Sequence, residues 1–280
     1  MAAAVAKRSH PSVEPVLVWL RQDLRLRDNP ALVAAADTGR PLIPIFILEE
    51  PISWGPGGAS RWWLHHSLAN LTESLAAKGL PLVLRQGDPV RVLPQLVRES
   101  HAREVHWNRR YEPEAASRDE QVRRVLTDGG CRVHGHEALL MAPPEALETG
   151  QGGPYQVFTP YYKKFTRTQA VPDLIPEPSN FRSPETMPVS LNLAELGLLP
   201  AVDWAGGLAS TWSPGEASAQ DAWRHFRKQG LTAYAERRDL PAVCGTSGLS
   251  AHLHWGEISP RQLWHEGLAV GAAAGEYLRQ

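Results

Sequence analysis

Six consecutive residues, Gly245-Thr-Ser-Gly-Leu-Ser250, set three hydroxyls where a helix is expected to begin. Hydroxyl donors beside freshly exposed backbone N–H groups are the chemistry that grips a phosphate at the positive end of a helix. The same residues are also ordinary helix caps, and spacing alone leaves both uses open. Arg21-Gln-Asp-Leu-Arg-Leu-Arg-Asp28 packs three arginines and two aspartates into eight positions. It reads either as a self-paired salt-bridge loop or as a ligand surface at the carboxyl end of a parallel sheet. His134-x-His136 and His252-x-His254 can each hold two imidazoles on one side of an extended segment. Neither pair has a third ligand at metal-site spacing, so no metal is expected. No Walker loop, G-x-G-x-x-G, H-E-x-x-H or G-x-S-x-G occurs, and Gly245-Thr-Ser-Gly248 misses the last by one residue. Gly55-Pro-Gly-Gly58 reads as a flexible loop.

These residues need a scaffold, and the hydrophobic pattern supplies one. From Val16 to about Met141 short β-rich runs alternate with helical periodicity, which predicts an α/β fold, a doubly wound parallel sheet with helices on both faces. Strands are expected at Val16–Leu20, Leu42–Ile47, Leu82–Arg85, around Val105–Trp107 and near Cys131–Val133. Leu42–Ile47 is almost wholly apolar, as a strand covered on both faces must be. Asp28 or Asn29 caps a helix that starts at Pro30; Asp88 caps another at Pro89, and Pro113 opens a third. Between them, Leu64, Leu68, Leu71 and Leu75 form one stripe of a helix over about 60–78. From Val171 to Gly215 seven prolines forbid long elements, and Arg182 is the only basic residue there. Phe181, Leu191, Leu193, Leu196 and Leu198 give that stretch something to pin down, so it reads as a connector wrapped on the surface. Helical character returns at Ala217, with Trp223 and Phe226 on one face and Gly230 at the end, and two further helices are expected near Gly248 and Pro260. The expected division is a disordered 1–15, an α/β domain 16–145, a connector 146–216 and a helical region 217–280.

Composition bounds the rest. With 29 Lys+Arg against 30 Asp+Glu the net charge is −1, which excludes a broadly basic nucleic-acid coat while leaving room for a local patch. No apolar run has the length of a membrane span. Cys131 and Cys244 lie far apart, which argues against a disulfide framework or zinc module, and the short apolar start lacks a signal-peptide core, so a cytoplasmic location is expected. The ten tryptophans, more than either Phe or Tyr, serve as large core fillers on the simplest reading.

In their order along the chain, several segments together resemble the photolyase/cryptochrome family, most nearly the bacterial cyclobutane-dimer enzymes. They are Trp19-Leu-Arg-Gln-Asp-Leu-Arg-Leu-Arg-Asp-Asn-Pro-Ala-Leu32, Ser60-Arg61 before Ser67-Leu68, Gly87-Asp88-Pro89 and Trp107-Asn-Arg-Arg-Tyr-Glu112. Val157-Phe-Thr-Pro160, Tyr234-Ala-Glu-Arg-Arg-Asp239, the run from Gly245 to Leu253, and Trp255-Gly-Glu-Ile-Ser-Pro-Arg261 continue the series. The resemblance implies an α/β antenna domain joined to an all-helical domain that holds FAD. It implies that Tyr234, Thr246, Ser247, Leu249 and Ser250, with Gly248 in the same segment, meet the FAD diphosphate and ribityl side. Arg238 matches a position that holds the DNA backbone; pairing with Asp239 is its alternative. The implied activity is light-driven repair of cyclobutane pyrimidine dimers in UV-damaged DNA by an electron from reduced FAD, with folate or a deazaflavin as antenna. Folate-using relatives carry a carboxylate just beyond the Tyr-Glu pair, whereas Glu114 is followed here by Ala115. The rival readings are a blue-light receptor of the cryptochrome kind and a non-catalytic nucleotide- or pigment-binding α/β module.

Family members continue past the position of Gln280 into helices that enclose the flavin. The expectation is therefore an incomplete FAD site with no catalytic residue within the chain, and weak or no FAD retention by the chain alone. Leu263, Trp264, Leu268 and Val270 are expected to lie partly exposed and to favour self-association.

Overall fold

The computed structural model describes residues 13–49 and 55–280. Residues 1–12 of the expected disordered N-terminus lie outside the described residues.

Five parallel strands, β1 (Val16–Leu20), β2 (Leu42–Leu48), β3 (Val83–Gln86), β4 (Glu104–Asn108) and β5 (Arg132–His136), form one sheet in the order β3-β2-β1-β4-β5. Four helices connect them: α1 (Pro30–Asp37), α2 (Gly58–Ala76), α3 (Pro89–Ser100) and α4 (Pro113–Asp128). Asn29 settles the first cap, its Oδ1 accepting from the Leu32 N–H at 3.2 Å, and Asp88 caps α3 through the Val90 N–H at 2.9 Å. The loop expected at Gly55–Gly58 is shorter by one residue, because Gly58 already belongs to α2. Alternation along β1 divides the core: Val16, Val18 and Leu20 face α1 and the leucine stripe of α2, while Leu17 and Trp19 face the layer of Leu93, Leu96, Val122 and Leu126.

After β5 the chain forms α5 (Phe158–Thr168), inside the span expected to be connector; Phe158, Tyr161 and Phe165 lie along one side of it, a periodicity that its polar neighbours obscure. From there to residue 215 the described chain contains only a single tight turn at Leu193–Leu196 and the short α6 (Gly206–Thr211). It wraps the sheet as its apolar residues require. The Leu42 N–H donates to Arg182 O, the Leu84 N–H to Ser190 Oγ and the Leu191 N–H to Leu84 O, so the outer edge of β3 is covered rather than left open. Leu196 and Leu198 are buried in the α2 layer.

The helical region comprises α7 (Glu216–Gln229), α8 (Tyr234–Arg237), α9 (Ser250–His254), α10 (Pro260–Leu268) and α11 (Gly275–Leu278). Trp223, Phe226, Leu231, Tyr234, Leu249, Ile258 and Leu263 make its core. The expected exposure at the last helices is corrected in part. Leu268 and Val270 are exposed, but Leu263 is buried because α11 folds back, bringing Leu278 against Gly267 of α10.

Candidate functional site

The crevice between β1 and β4 is the switch point of the sheet, where a doubly wound fold ordinarily keeps its ligand. Here the chain fills it with its own side chains. Arg21, buried, bonds Asp119 at 2.7 and 2.6 Å and also donates to the Asn108 carbonyl; Asn108 in turn donates to Asn29 Oδ1 at 2.8 Å. Burial pulls the Arg21 guanidinium below its ordinary pKa, with Asp119 opposing that shift. The salt bridges of the Arg21 to Asp28 loop thus run outward, to Asp119 and Arg261, while Arg25 bonds the loop's own carbonyls of Arg27 and Asp28 and also reaches a cleft beside the helical region. Asp23 stays within this cluster, accepting from the Arg21 N–H and from Asn108 Nδ2, whereas Arg25, Asp28 and the Leu26 and Arg27 N–H groups meet the helical region.

That junction is buried and specific. Arg261 of α10 donates to Asp28 through Nε (3.1 Å) and Nη2 (2.8 Å), both side chains being 4% exposed. Arg25 donates to the Gly256 carbonyl at 2.9 Å and to that of Asp28 at 2.9 Å. Glu216, at the start of α7, accepts the Leu26 and Arg27 N–H groups at 2.7 and 3.0 Å, and burial raises its pKa against those two bonds. Gly256 has φ +66°, and a Cβ there would stand 2.0 Å from the Gln22 carbonyl oxygen, so only glycine lets the two backbones meet.

Beside this junction opens a cleft of about 590 Å³, within the range of cofactor sites. Thr246, Ser247, Gly248 and Ser250 line one wall. Tyr234, Trp264 and Tyr277 supply aromatic surface, Leu253, Ile258 and Leu263 apolar surface, and Arg25 a buried positive charge from the α/β side. The wall is held from behind. Gly245 passes so close to α8 that a Cβ would stand 2.3 Å from the Arg237 carbonyl oxygen. His252 of α9 bonds Glu257 at 2.5 Å, and the fully buried Glu257 also accepts from Trp63 Nε1 of α2 at 3.0 Å. Tyr277 lies edge-on to Tyr234 (5.2 Å between ring centres) and donates to Ser247 Oγ at 3.3 Å; burial raises its pKa. The donor set fits a phosphorylated aromatic ligand: hydroxyls and a guanidinium for the anion, rings and aliphatic side chains for the planar part.

Of the residues singled out from sequence, Tyr234, Thr246, Ser247, Gly248 and Ser250 share this cleft. Leu249 does not line it; its side chain is buried in the helical core and anchors the wall. Arg238 lies outside, its guanidinium 5.8 Å from the centre of the Tyr234 ring and its Nε 3.4 Å from Asp239. His252 and His254 part company, the first buried on Glu257 and the second exposed, because on α9 two residues' separation turns a side chain far around the axis. The sequence carries no signal that Arg25, Trp63, Glu216, Glu257 and Arg261 support the site. Their types were visible inside the quoted motifs in part, but the pairings join residues some 190 to 230 positions apart.

The family model described as DNA photolyase matches residues 16–179. The deoxyribodipyrimidine photo-lyase of Agrobacterium fabrum is 42% identical over 269 residues, 95% of this chain and 56% of that protein. Cryptochrome-2 of Arabidopsis thaliana is 33% identical over 261 residues, 89% of this chain and 42% of that one. The crystal structure of a bacterial class III photolyase from Agrobacterium tumefaciens superposes with a TM-score of 0.92 at 39% identity, covering 98% of this chain and 58% of that one. The chain thus spans little more than half the length of these photolyase relatives.

Proposed function

Because the chain belongs to the DNA photolyase family, we propose that it contributes the antenna domain and the diphosphate-gripping wall of a light-driven DNA-repair flavoprotein. The observation that carries this reading is the shared cleft: the hydroxyl segment from Thr246 to Ser250 and the ring of Tyr234 face one cavity of cofactor size. In this reading Thr246, Ser247, Ser250 and the backbone of Gly248 hold the FAD diphosphate, and Leu249 fixes the segment from below. Arg25 adds positive charge, and the rings of Tyr234 and Trp264 offer planar surface. Reduced FAD, when bound, supplies the photoexcited electron that splits a cyclobutane pyrimidine dimer. Arg238, on the rim by Tyr234, holds a phosphate of the damaged strand by exchanging its partner Asp239 for the DNA backbone. Residues 16–145 carry the antenna pigment, folate or a deazaflavin, residues 146–216 connect, and residues 217–280 are the FAD-holding part.

Titration with FAD and with riboflavin, followed by quenching of flavin fluorescence, tests the site. FAD is expected to bind more tightly than riboflavin, and Thr246→Ala with Ser250→Ala to remove most of that advantage. A hydrogen bond to a charged group contributes about 1.5–3 kcal/mol, or roughly 10- to 150-fold. Equal affinity for the two flavins, or an unchanged double variant, overturns the assignment. The similarity to Cryptochrome-2 supports a second reading, a blue-light receptor. Repair of a cyclobutane dimer under blue light by a full-length form that includes the flavin-enclosing helices decides for the enzyme, and flavin photochemistry of that form without repair decides for the receptor.

A further inference from the structure

The two outer strands on the other side of the sheet carry a cluster with no part in the cleft. Glu104 and His106 on β4 project to the same face as His134 and His136 on β5, because alternate strand residues share a face and the register sets His106 beside His134. Glu104 Oε1 stands 3.1 Å from His106 Nε2 and 3.0 Å from His134 Nε2, and the three atoms lie within 4.8 Å of one another. We propose that Glu104, His106 and His134 form a binding site for one divalent transition-metal ion of the zinc type, completed by water.

Four observations point to an ion. Two imidazoles and a carboxylate are a donor set suited to such metals, and ligands about 2.1 Å from a tetrahedral ion stand about 3.4 Å apart, a few tenths of an ångström more than the 3.1 and 3.0 Å found. Next, His134 Nε2 is buried and makes no hydrogen bond although the carboxylate is 3.0 Å away; a cation between them satisfies both atoms. His106 Nδ1 lies 3.0 Å from His136 Nε2, so a proton on Nδ1 donated to His136 turns the Nε2 lone pair towards the site, with an imidazole in the outer position more often held by a carboxylate, carbonyl or water. Finally, Arg40 and Arg132 both bond Glu104 Oε2, at 2.9 and 2.6 Å, which fixes the carboxylate and leaves Oε1 for the imidazoles. Their charge opposes a cation, so the affinity is moderate and tunable. His106 is buried while the His134 side chain is 42% exposed, which gives the ion a way in. Of the His134-x-His136 pair only His134 is a ligand here, and both of its partners, Glu104 and His106, come from the neighbouring strand.

Calorimetric titration of the whole chain with Zn²⁺, supported by Co²⁺ absorption in the visible, tests the proposal. One equivalent is expected to bind at micromolar or better affinity. His134→Ala, a change at a half-buried side chain whose fold is checked by circular dichroism, is expected to weaken binding at least about ten-fold. Arg132→Ala, which removes an opposing charge, is expected to tighten it several-fold. His65→Ala with His66→Ala, the adjacent imidazoles on α2, is expected to leave it unchanged. Binding only at millimolar Zn²⁺, an unaltered His134→Ala variant, or loss of binding in the His65/His66 variant overturns the site.

Discussion

Breaking the Arg261–Asp28 pair is expected to show how far the helical region depends on the α/β domain for its stability. Both side chains are 4% exposed, and Arg261 grips the carboxylate through two bonds of 2.8 and 3.1 Å. Arg261→Met keeps the bulk of the side chain and strands a buried carboxylate, whose remaining donor is the Ile175 N–H at 3.1 Å. Losing one partner of a buried pair costs about 3–5 kcal/mol, and the surviving bond places this variant near the lower end. For a chain of this size that is a fall of roughly 6–12 °C in Tm. Asp28 has φ 48°, a conformation that asparagine tolerates, so Asp28→Asn removes the charge without adding backbone strain. The double variant leaves neither member of the pair as an unmatched charge and is expected to recover at least about 2 kcal/mol relative to the sum of the singles. Urea unfolding followed by tryptophan fluorescence and circular dichroism measures all three. A cost below about 1 kcal/mol for Arg261→Met, or singles that add to within about 0.5 kcal/mol, would refute the claim that this pair joins the two parts.

Two more outcomes follow from the same junction. Gly256→Ala and Gly248→Ala share a left-handed φ near +66° and +67°, but only at Gly256 would the new Cβ meet backbone, 2.0 Å from Gln22 O. Thermal unfolding is therefore expected to show a loss of about 1–2 kcal/mol for Gly248→Ala and a markedly larger one, or failure to fold, for Gly256→Ala; similar losses would contradict the seam described. Burial raises the pKa of Glu216, so the folded chain holds that proton to higher pH than the unfolded one. This contribution is complete below the unfolded value and is lost as pH rises through the folded one. The stability of the native chain minus that of Glu216→Gln is accordingly expected to grow as pH falls from 7 towards 4.5 in urea titrations, and a flat difference would count against a buried Glu216.

The sheet could be read from the sequence because its signals are local. An apolar run such as Leu42 to Ile47, a proline one residue past a capping Asn29 or Asp88, and leucines repeating on α2 each act within a few residues, and the chain order of such units dictates a parallel sheet. The hydroxyl segment was legible for the same reason, since six neighbouring residues carry it. What lay beyond reach were the partners. Nothing near Arg21 says that it turns to Asp119, nothing near Asp28 that it waits for Arg261, and nothing in His134-x-His136 that Glu104 and His106 stand alongside. Nor did the pattern show that α11 would return to bury Leu263. Helix, strand and cap follow from short-range geometry and hydrophobic period, whereas a buried charge takes whichever partner the packed fold brings within 3 Å. That choice is made only when the sheet register and the docking of the helices are set.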